Sequence, residues 1–145
     1  MLRVFVSMMM AATIPLAAAD GEGPGCSNAT LKGNYGFILT GTSASGPPPA
    51  PLQQVIGVGM VHFDGAGNFT QTDNIHGSVT GFTAPNRPGV GTYSVNEDCT
   101  GVSTLLIQGQ APVERRFVVV DKGRELRTIV TSPATTMVTA TARKQ

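Results

Sequence analysis

The stretch GVGMVHFDGAGNFTQTD, residues 57–73, contains two segments of two-residue period around a glycine-rich centre. Val61 and Phe63 fall on one side of the first segment, and Phe69 and Asp73 fall on one side of the second. A two-residue period is typical of a β-strand, because successive side chains point to opposite faces. The central DGAG supplies glycine where a hairpin turn requires a positive φ. The stretch therefore predicts two antiparallel strands joined by a tight turn.

The same two-residue period continues through the rest of the chain after residue 20, and no segment has a sustained helical repeat. Runs bounded by Gly, Pro, Asn and Asp predict eight strands, at Asn34–Thr42, Gln53–Phe63, Asn68–Ser78, Gly89–Asn96, Val102–Gln110, Glu114–Val120, Arg124–Thr131 and Thr135–Arg143. Short reversals favour antiparallel neighbours. We expect an all-β, antiparallel, up-and-down eight-stranded β-barrel, which has no sheet edges. A two-sheet β-sandwich is the alternative.

Two proline-containing segments interrupt the pattern, at Thr42–Pro51 and Gly81–Val90. Because proline has no N–H to donate, we predict both as loops outside the sheet. Gly57 and Gly59 share the face of Val55, and inward glycines leave space or mark a strong bend. The pattern suggests an internal cavity, although barrel curvature alone would explain it as well.

The N-terminus has the pattern of a secretory signal peptide. Arg3 supplies the positive charge, Val4–Leu16 is mostly apolar, and Ala17–Ala19 form a small-residue cleavage site before Asp20. The apolar run is too short to cross a bilayer stably, so we expect no stable membrane span. We predict that residues 1–19 are removed, that residues 20–145 form a single β-barrel domain, and that the protein is secreted or periplasmic.

The chain has two cysteines, Cys26 and Cys99. In an oxidising compartment two cysteines predict one disulfide. This bond would close a loop of about 74 residues and contribute on the order of 4 kcal/mol in the chain-entropy model. A reactive or metal-binding thiol is the alternative, but neither cysteine has a histidine or second cysteine at ligand spacing.

The charge of the mature chain is balanced, because ten Lys and Arg become nine when Arg3 is removed, against nine Asp and Glu. This balance argues against nucleic acid as a partner, which requires a basic surface. Residues 20–110 carry two basic and six acidic groups, whereas residues 111–145 carry seven basic and three acidic groups. We interpret the C-terminal charges as solvated strand faces in preference to an anion-binding surface.

Four motifs carry a family resemblance: CSNATLKGNYGF, FDGAGNFTQTD, GTYSVNEDCTG and FVVVDKGRELRTIVT. Together they resemble a family of uncharacterised secreted bacterial β-barrel-like proteins with the pattern Cys, Gly-x-Tyr-Gly-Phe, Phe-Asp-Gly-x-Gly, Gly-x-Tyr-x-Val and Asp-Cys-Thr-Gly. The resemblance covers residues 26–145. The layout is also distantly similar to calycin-type and allene-oxide-cyclase-like barrels, at the level of fold only. The resemblance implies export and an all-β domain, and it implies no catalytic residue.

Asp73 is the candidate polar residue of the interior, because it alternates in register with Phe69. A carboxylate inside a barrel must be paired or protonated, and Arg127 or Arg115 could be its partner. The alternative is that these groups lie near the barrel mouth or face outward. If the barrel is hollow, we expect ligand-binding residues from alternate positions of separate strands, namely Phe37, Leu39, Val55, Phe69, Asp73, Phe117, Arg127 and Ile129.

Other sites are poorly supported by the sequence. His62 and His76 would not face each other across a hairpin, so we expect no metal site. There is no Gly-x-Ser-x-Gly motif, P-loop or dinucleotide fingerprint, so we expect no cofactor. Three functions remain: a module that binds a small apolar or amphipathic ligand inside the barrel, a structural or surface-interaction protein with a solid core, and a cofactor-free isomerase or cyclase that uses Asp73. The first is our leading hypothesis, and we lean against an enzyme.

Overall fold

The computed structural model describes residues 25–79 and 83–145, which form a closed antiparallel β-barrel of eight strands. Each strand pairs with its neighbours in chain order, and β8 pairs with β1 to close the barrel. The strands are β1 Lys32–Ala44, β2 Leu52–Asp64, β3 Asn68–Gly77, β4 Thr83–Val95, β5 Thr100–Leu106, β6 Val113–Val120, β7 Glu125–Ser132 and β8 Met137–Lys144. The predicted up-and-down barrel is confirmed, and the sandwich is excluded. The predicted signal peptide and residues 20–24 lie outside the described residues.

The expected loop at Gly81–Val90 is wrong for the part that the structure describes, because β4 begins at Thr83. Pro85 is accommodated by an irregularity, because the pairing of β3 with β4 shifts register between Asp73 and Ile75, whereas Pro88 stays in register opposite Thr72. Such a bulge leaves residues without ladder hydrogen bonds, which is where a sheet tolerates proline. The other proline-rich segment is a loop as predicted, from residue 45 to residue 51.

The β2–β3 turn is held by the side chain of Asp64. Its Oδ1 accepts hydrogen bonds from the backbone N–H groups of Ala66, Gly67 and Asn68, at 2.7, 3.0 and 3.0 Å. The Asn68 amide donates to the other carboxylate oxygen at 2.8 Å. Bonds to the ionised form favour it, and these bonds, led by that of the Asn68 side chain, lower the pKa of Asp64 to about 2.

One end of the barrel, where the β2–β3, β4–β5 and β6–β7 turns lie, is filled by an aromatic cluster; we call this the closed end. The Phe63 ring packs edge-on against Tyr35 and Tyr93, with centroids 5.4 and 5.0 Å apart, and lies 5.7 Å from Phe69. Tyr35 donates its hydroxyl hydrogen to the carbonyl of Gly123. Tyr93 donates to backbone carbonyls of residues 28 and 31. The buried hydroxyl groups are therefore satisfied, as an apolar environment requires.

The segment that precedes β1, residues 25–31, covers this closed end and is attached to it by a disulfide. Cys26 and Cys99 are bonded, with their Cα atoms 4.9 Å apart, which confirms the predicted pair. Cys26 also donates its backbone N–H to the carbonyl of Glu97 at 3.1 Å. Leu31, at the end of the segment, is fully buried in the core. The disulfide thus joins this segment to the β4–β5 turn.

Inward-facing glycines lie opposite large side chains on the adjacent strand. The register pairs Phe37 with Gly59 and Phe117 with Gly101. A Cβ added at Gly59 would meet the Phe37 ring at 2.6 Å, and one added at Gly101 would meet the Phe117 ring at 2.2 Å. The rings lie over the glycine backbone, so part of the space suggested by the glycines in the sequence is occupied.

Candidate functional site

The half of the barrel away from the closed end is hollow and contains a cavity of about 730 Å³. It opens where the β1–β2, β5–β6 and β7–β8 connections lie, and we call this the open end. Its rim includes residues 45–48, 109–111, 133, 135 and 136. Small side chains on β8, Ala140 and Ala142, help to leave the space empty. A volume of this size is within the range of about 300–1,000 Å³ typical of small-molecule sites.

Most of the residues expected to line a cavity do so. Phe37 and Leu39 of β1, Val55 of β2, Asp73 of β3 and Phe117 of β6 all contact it. Phe69 also faces inward as expected, but it does not line the cavity, because Arg115 covers its ring with the guanidinium carbon 4.9 Å from the ring centroid. The structure thus brings six of the eight predicted residues together in the interior. Whether they bind a ligand stays a prediction.

The expected inward positions of Arg127 and Ile129 are wrong. The Arg127 side chain is 71% exposed and Ile129 is 54% exposed, so both face outward. Leu126, Thr128 and Val130 of β7 line the cavity instead. Ile129 shares its face with Glu125 and Arg127, so the alternation itself favours burying the face of Leu126 and Val130, and the expectation overlooked that signal.

Outward-facing Arg127 forms part of a surface ion-pair group. It donates from Nε to Glu125 at 3.0 Å, and Arg143 donates to the same carboxylate at 2.9 Å. These partners lower the pKa of Glu125, with the Arg127 hydrogen bond as the largest cause. Arg127 is therefore not a partner of Asp73.

Asp73 faces the interior as predicted, is 1% exposed, and pairs with Arg87 of β4. Arg87 donates from Nε to Oδ1 at 2.8 Å and from Nη2 to Oδ2 at 3.0 Å. Gln71 also donates its amide hydrogen to Oδ2, at 2.9 Å. Two parallel bonds from one guanidinium fix the carboxylate in both position and direction. Asp73 is thus a neutralised and well-oriented group of the cavity wall.

Arg115, the other partner considered for Asp73, also faces the interior. Its Nε donates to Ser103 Oγ at 3.1 Å, and its Nη1 donates to Gln71 Oε1 at 3.3 Å. Burial lowers the pKa of Arg115 to about 10, and the charge of Asp73 acts in the opposite direction. Since this pKa is well above 7, the guanidinium is charged at neutral pH. Gln71 accepts from Arg115 and donates to Asp73, so it links the two groups.

Arg87 is the important residue of this site that sequence analysis missed, because its segment was assigned to a loop. Its Nη1 lies 3.4 Å from Gln110 Oε1 near the rim, and its side chain is 22% exposed. A signal was present in the sequence: Arg87 falls in two-residue register with Gly89, Gly91 and Tyr93. Extending the strand back along that register would have placed Arg87 inside the barrel.

The two histidines lie on the outer face of the barrel and do not face each other. In the β2–β3 register His62 is opposite Thr70, and His76 is opposite Ile56. His62 forms a hydrogen bond of 2.8 Å with the Asn34 side chain. Within residues 25–79 and 83–145, no group of three His, Cys, Asp or Glu side chains is arranged to hold a metal ion.

Comparison with protein-family models, curated proteins and solved structures gives no match to this chain. The family resemblance stated from the motifs therefore stays a prediction. In the described part of the chain, no helix has the length and apolar character needed to cross a membrane.

Proposed function

We propose that the protein binds a small amphipathic molecule inside the barrel. The observation that carries this proposal is the cavity of about 730 Å³, which has a floor of aromatic rings and an opening at the other end. Its wall is mostly apolar, with a few polar groups held in fixed positions, which is the composition of a typical ligand site. A structural protein with a solid core would need no such space.

The environment of Asp73 is less favourable for the alternative function, a cofactor-free isomerase or cyclase. A general base must accept a proton from its substrate near neutral pH. Both oxygens of Asp73 already accept hydrogen bonds, from the Arg87 guanidinium and the Gln71 amide, so the carboxylate is engaged with the barrel wall and is not directed at a substrate proton. We therefore assign this carboxylate a role in orienting Arg87 and shaping the cavity.

We further propose that the mature chain acts outside the cytoplasm, secreted or in a periplasm. A disulfide persists in oxidising compartments, and Cys26–Cys99 is compatible with such a location. The signal-peptide pattern of the first residues supports the same conclusion.

The binding proposal is tested with a neutral environment-sensitive dye such as Nile red, titrated against the oxidised mature protein. We expect micromolar affinity or better, about −8 kcal/mol. Ala140 lines the cavity, so Ala140→Phe should fill space and weaken dye binding at least tenfold. Thr139 is exposed on the opposite face of the same strand, so Thr139→Phe is the matched control and should bind the dye like the wild type.

Unfolding in urea separates loss of binding from loss of fold. In a hollow barrel Ala140→Phe should change the free energy of unfolding by less than about 1 kcal/mol, whereas overpacking of a solid core costs roughly 1–3 kcal/mol. An absence of dye binding in the wild type, or equal affinities for the two variants, would contradict the proposal.

A further inference from the structure

The charges that line the cavity do not cancel. Among the described residues, three charged side chains contact it: Asp73, Arg87 and Arg115. Two positive charges and one negative charge leave a formal charge of +1 inside the barrel. An uncompensated charge in a poorly solvated space is unfavourable. This excess positive charge differs from the ion pairs of the surface, where water screens each group.

The excess charge belongs to Arg115, because Arg87 is paired with Asp73. In the part of the chain that the structure describes, the salt bridges are Arg87–Asp73, Arg127–Glu125 and Arg143–Glu125, and none of them includes Arg115. Its hydrogen-bond acceptors are neutral, the Ser103 hydroxyl and the Gln71 amide oxygen. They use Nε and Nη1 and leave Nη2 without a partner among the described residues. Among those residues, Thr42 Oγ1 is the only fully buried side-chain polar atom that lacks a partner. Arg115 Nη2 has no partner among them and is not such an atom, so it is accessible to a small molecule.

The position of Arg115 makes the two ends of the cavity different, because its positive charge lies near the closed end. Its guanidinium stacks on Phe69, which belongs to the aromatic cluster of the closed end, so the free N–H groups lie near the floor. From Phe37 to Ser43, β1 advances six residue steps along the cavity wall, which is about 20 Å along the strand and roughly 15 Å along a tilted barrel axis. The walls formed by β7, β8, β1 and β2 are mostly apolar and carry no charged cavity-lining residue in the described chain.

We propose that the cavity takes an amphipathic monoanion, with a carboxylate against Arg115 at the floor and an apolar chain that extends towards the open end. This inference rests on the proposed function and specifies its ligand class. A carboxylate matches the planar guanidinium, which can donate two parallel hydrogen bonds to it. A single negative charge also balances the formal charge of +1, whereas a dianionic phosphate would leave one charge uncompensated.

The test compares three ligands with the same twelve-carbon chain and different head groups: dodecanoate, 1-dodecanol and dodecyltrimethylammonium. Each displaces Nile red from the oxidised wild-type protein at pH 7.5. We expect dodecanoate to displace the dye at a concentration at least tenfold lower than that required for either of the others. Equal displacement by dodecanoate and dodecanol would overturn the monoanion inference and leave the binding function intact. If the dye does not bind at all, the proposed function itself fails.

Variants then test the assignment to Arg115. Arg115→Met should weaken dodecanoate binding at least tenfold and change dodecanol binding less than threefold. Arg116 is the adjacent residue on the exposed outer face, so Arg116→Met is the matched control and should leave both affinities unchanged. If Arg115→Met does not fold, Arg115→Lys keeps the charge without the planar donor pair and should show a smaller loss for dodecanoate. Equal dodecanoate affinities in the Arg115 and Arg116 variants would overturn the assignment.

Discussion

The ion pair between Asp73 and Arg87 should be strongly coupled, and a double-mutant cycle can measure the coupling. Asp73 is 1% exposed, so Arg87→Met leaves a buried carboxylate with Gln71 as the one remaining hydrogen-bond donor among the described residues. Breaking a buried pair from one side costs about 3–5 kcal/mol, and we expect about 4 kcal/mol for this change. Asp73→Leu should cost about 3 kcal/mol, at the lower limit, because Arg87 is 22% exposed and can reach water at the rim.

The double variant Asp73→Leu/Arg87→Met should be more stable than either single variant. Asp73→Leu alone changes the formal charge of the cavity from +1 to +2, and Arg87→Met alone changes it to 0. The double change keeps it at +1. Replacing both partners of a buried pair by apolar groups is often nearly neutral, so we expect a loss of at most about 2 kcal/mol. Urea unfolding followed by far-ultraviolet circular dichroism gives each free energy, and similar m-values confirm comparable unfolding.

The surface pair supplies the control for this cycle. Arg127→Met removes an exposed guanidinium from Glu125 and should cause a much smaller loss, since surface ion pairs contribute little. The reasoning is refuted if Asp73→Leu costs less than about 1 kcal/mol, or if the double variant loses the sum of the two single losses. Either result would mean that the buried pair is not energetically coupled.

Three further predictions concern the stability of the barrel. Reduction of Cys26–Cys99 should lower the free energy of unfolding by up to about 4 kcal/mol and leave the β-type circular dichroism at low temperature intact; unfolding at 25 °C would contradict this. Gly59→Ala should cost roughly 1–3 kcal/mol, because its Cβ would lie 2.4 Å from a backbone oxygen, whereas Gly46→Ala in the β1–β2 loop should be nearly neutral; equal losses in urea would refute it. The pKa of Asp64 is lowered to about 2 in the folded protein, so its contribution is complete above the unfolded pKa and is lost as pH falls towards 2. Melting temperatures between pH 5 and 2 should show a shallower acid loss in Asp64→Asn, and parallel curves would exclude this role.

The fold could be predicted because local signals agree with the final structure. The Asp64 turn and the inward alternation of β3, from Phe69 to Ile75, use strong preferences of single residues, and every inward residue of that strand is buried. The β7 strand shows where the same signals were given the wrong weight. Leu126 and Val130 lie on one face, whereas Ile129 shares the other face with the charged Glu125 and Arg127. The alternation itself therefore favours burying Leu126 and Val130, and the expectation followed Ile129 alone.

The candidate site was harder to predict, because its charges come from strands far apart in sequence. Two prolines flank Arg87 at positions 85 and 88 and favour a loop locally. Pairing with β3 across a bulge places that segment in the sheet, and only then does its guanidinium meet Asp73. The cavity itself is a property of the closed barrel. It depends on how far rings such as Phe37 reach across glycines, which the two-residue period does not specify.

The two ends of the barrel divide stability and binding between them. A hollow interior forgoes packing contacts that a filled core would make, so stability must come from elsewhere in the fold. The closed end supplies it through the cluster around Phe63, the hydrogen-bonded hydroxyls of Tyr35 and Tyr93, and the nearby disulfide. Because these contacts lie below the floor, the wall above can keep small side chains such as Ala140 and an excess charge at Arg115. A ligand with an apolar chain and one negative charge would supply the packing contacts and the counter-charge that this half of the barrel lacks.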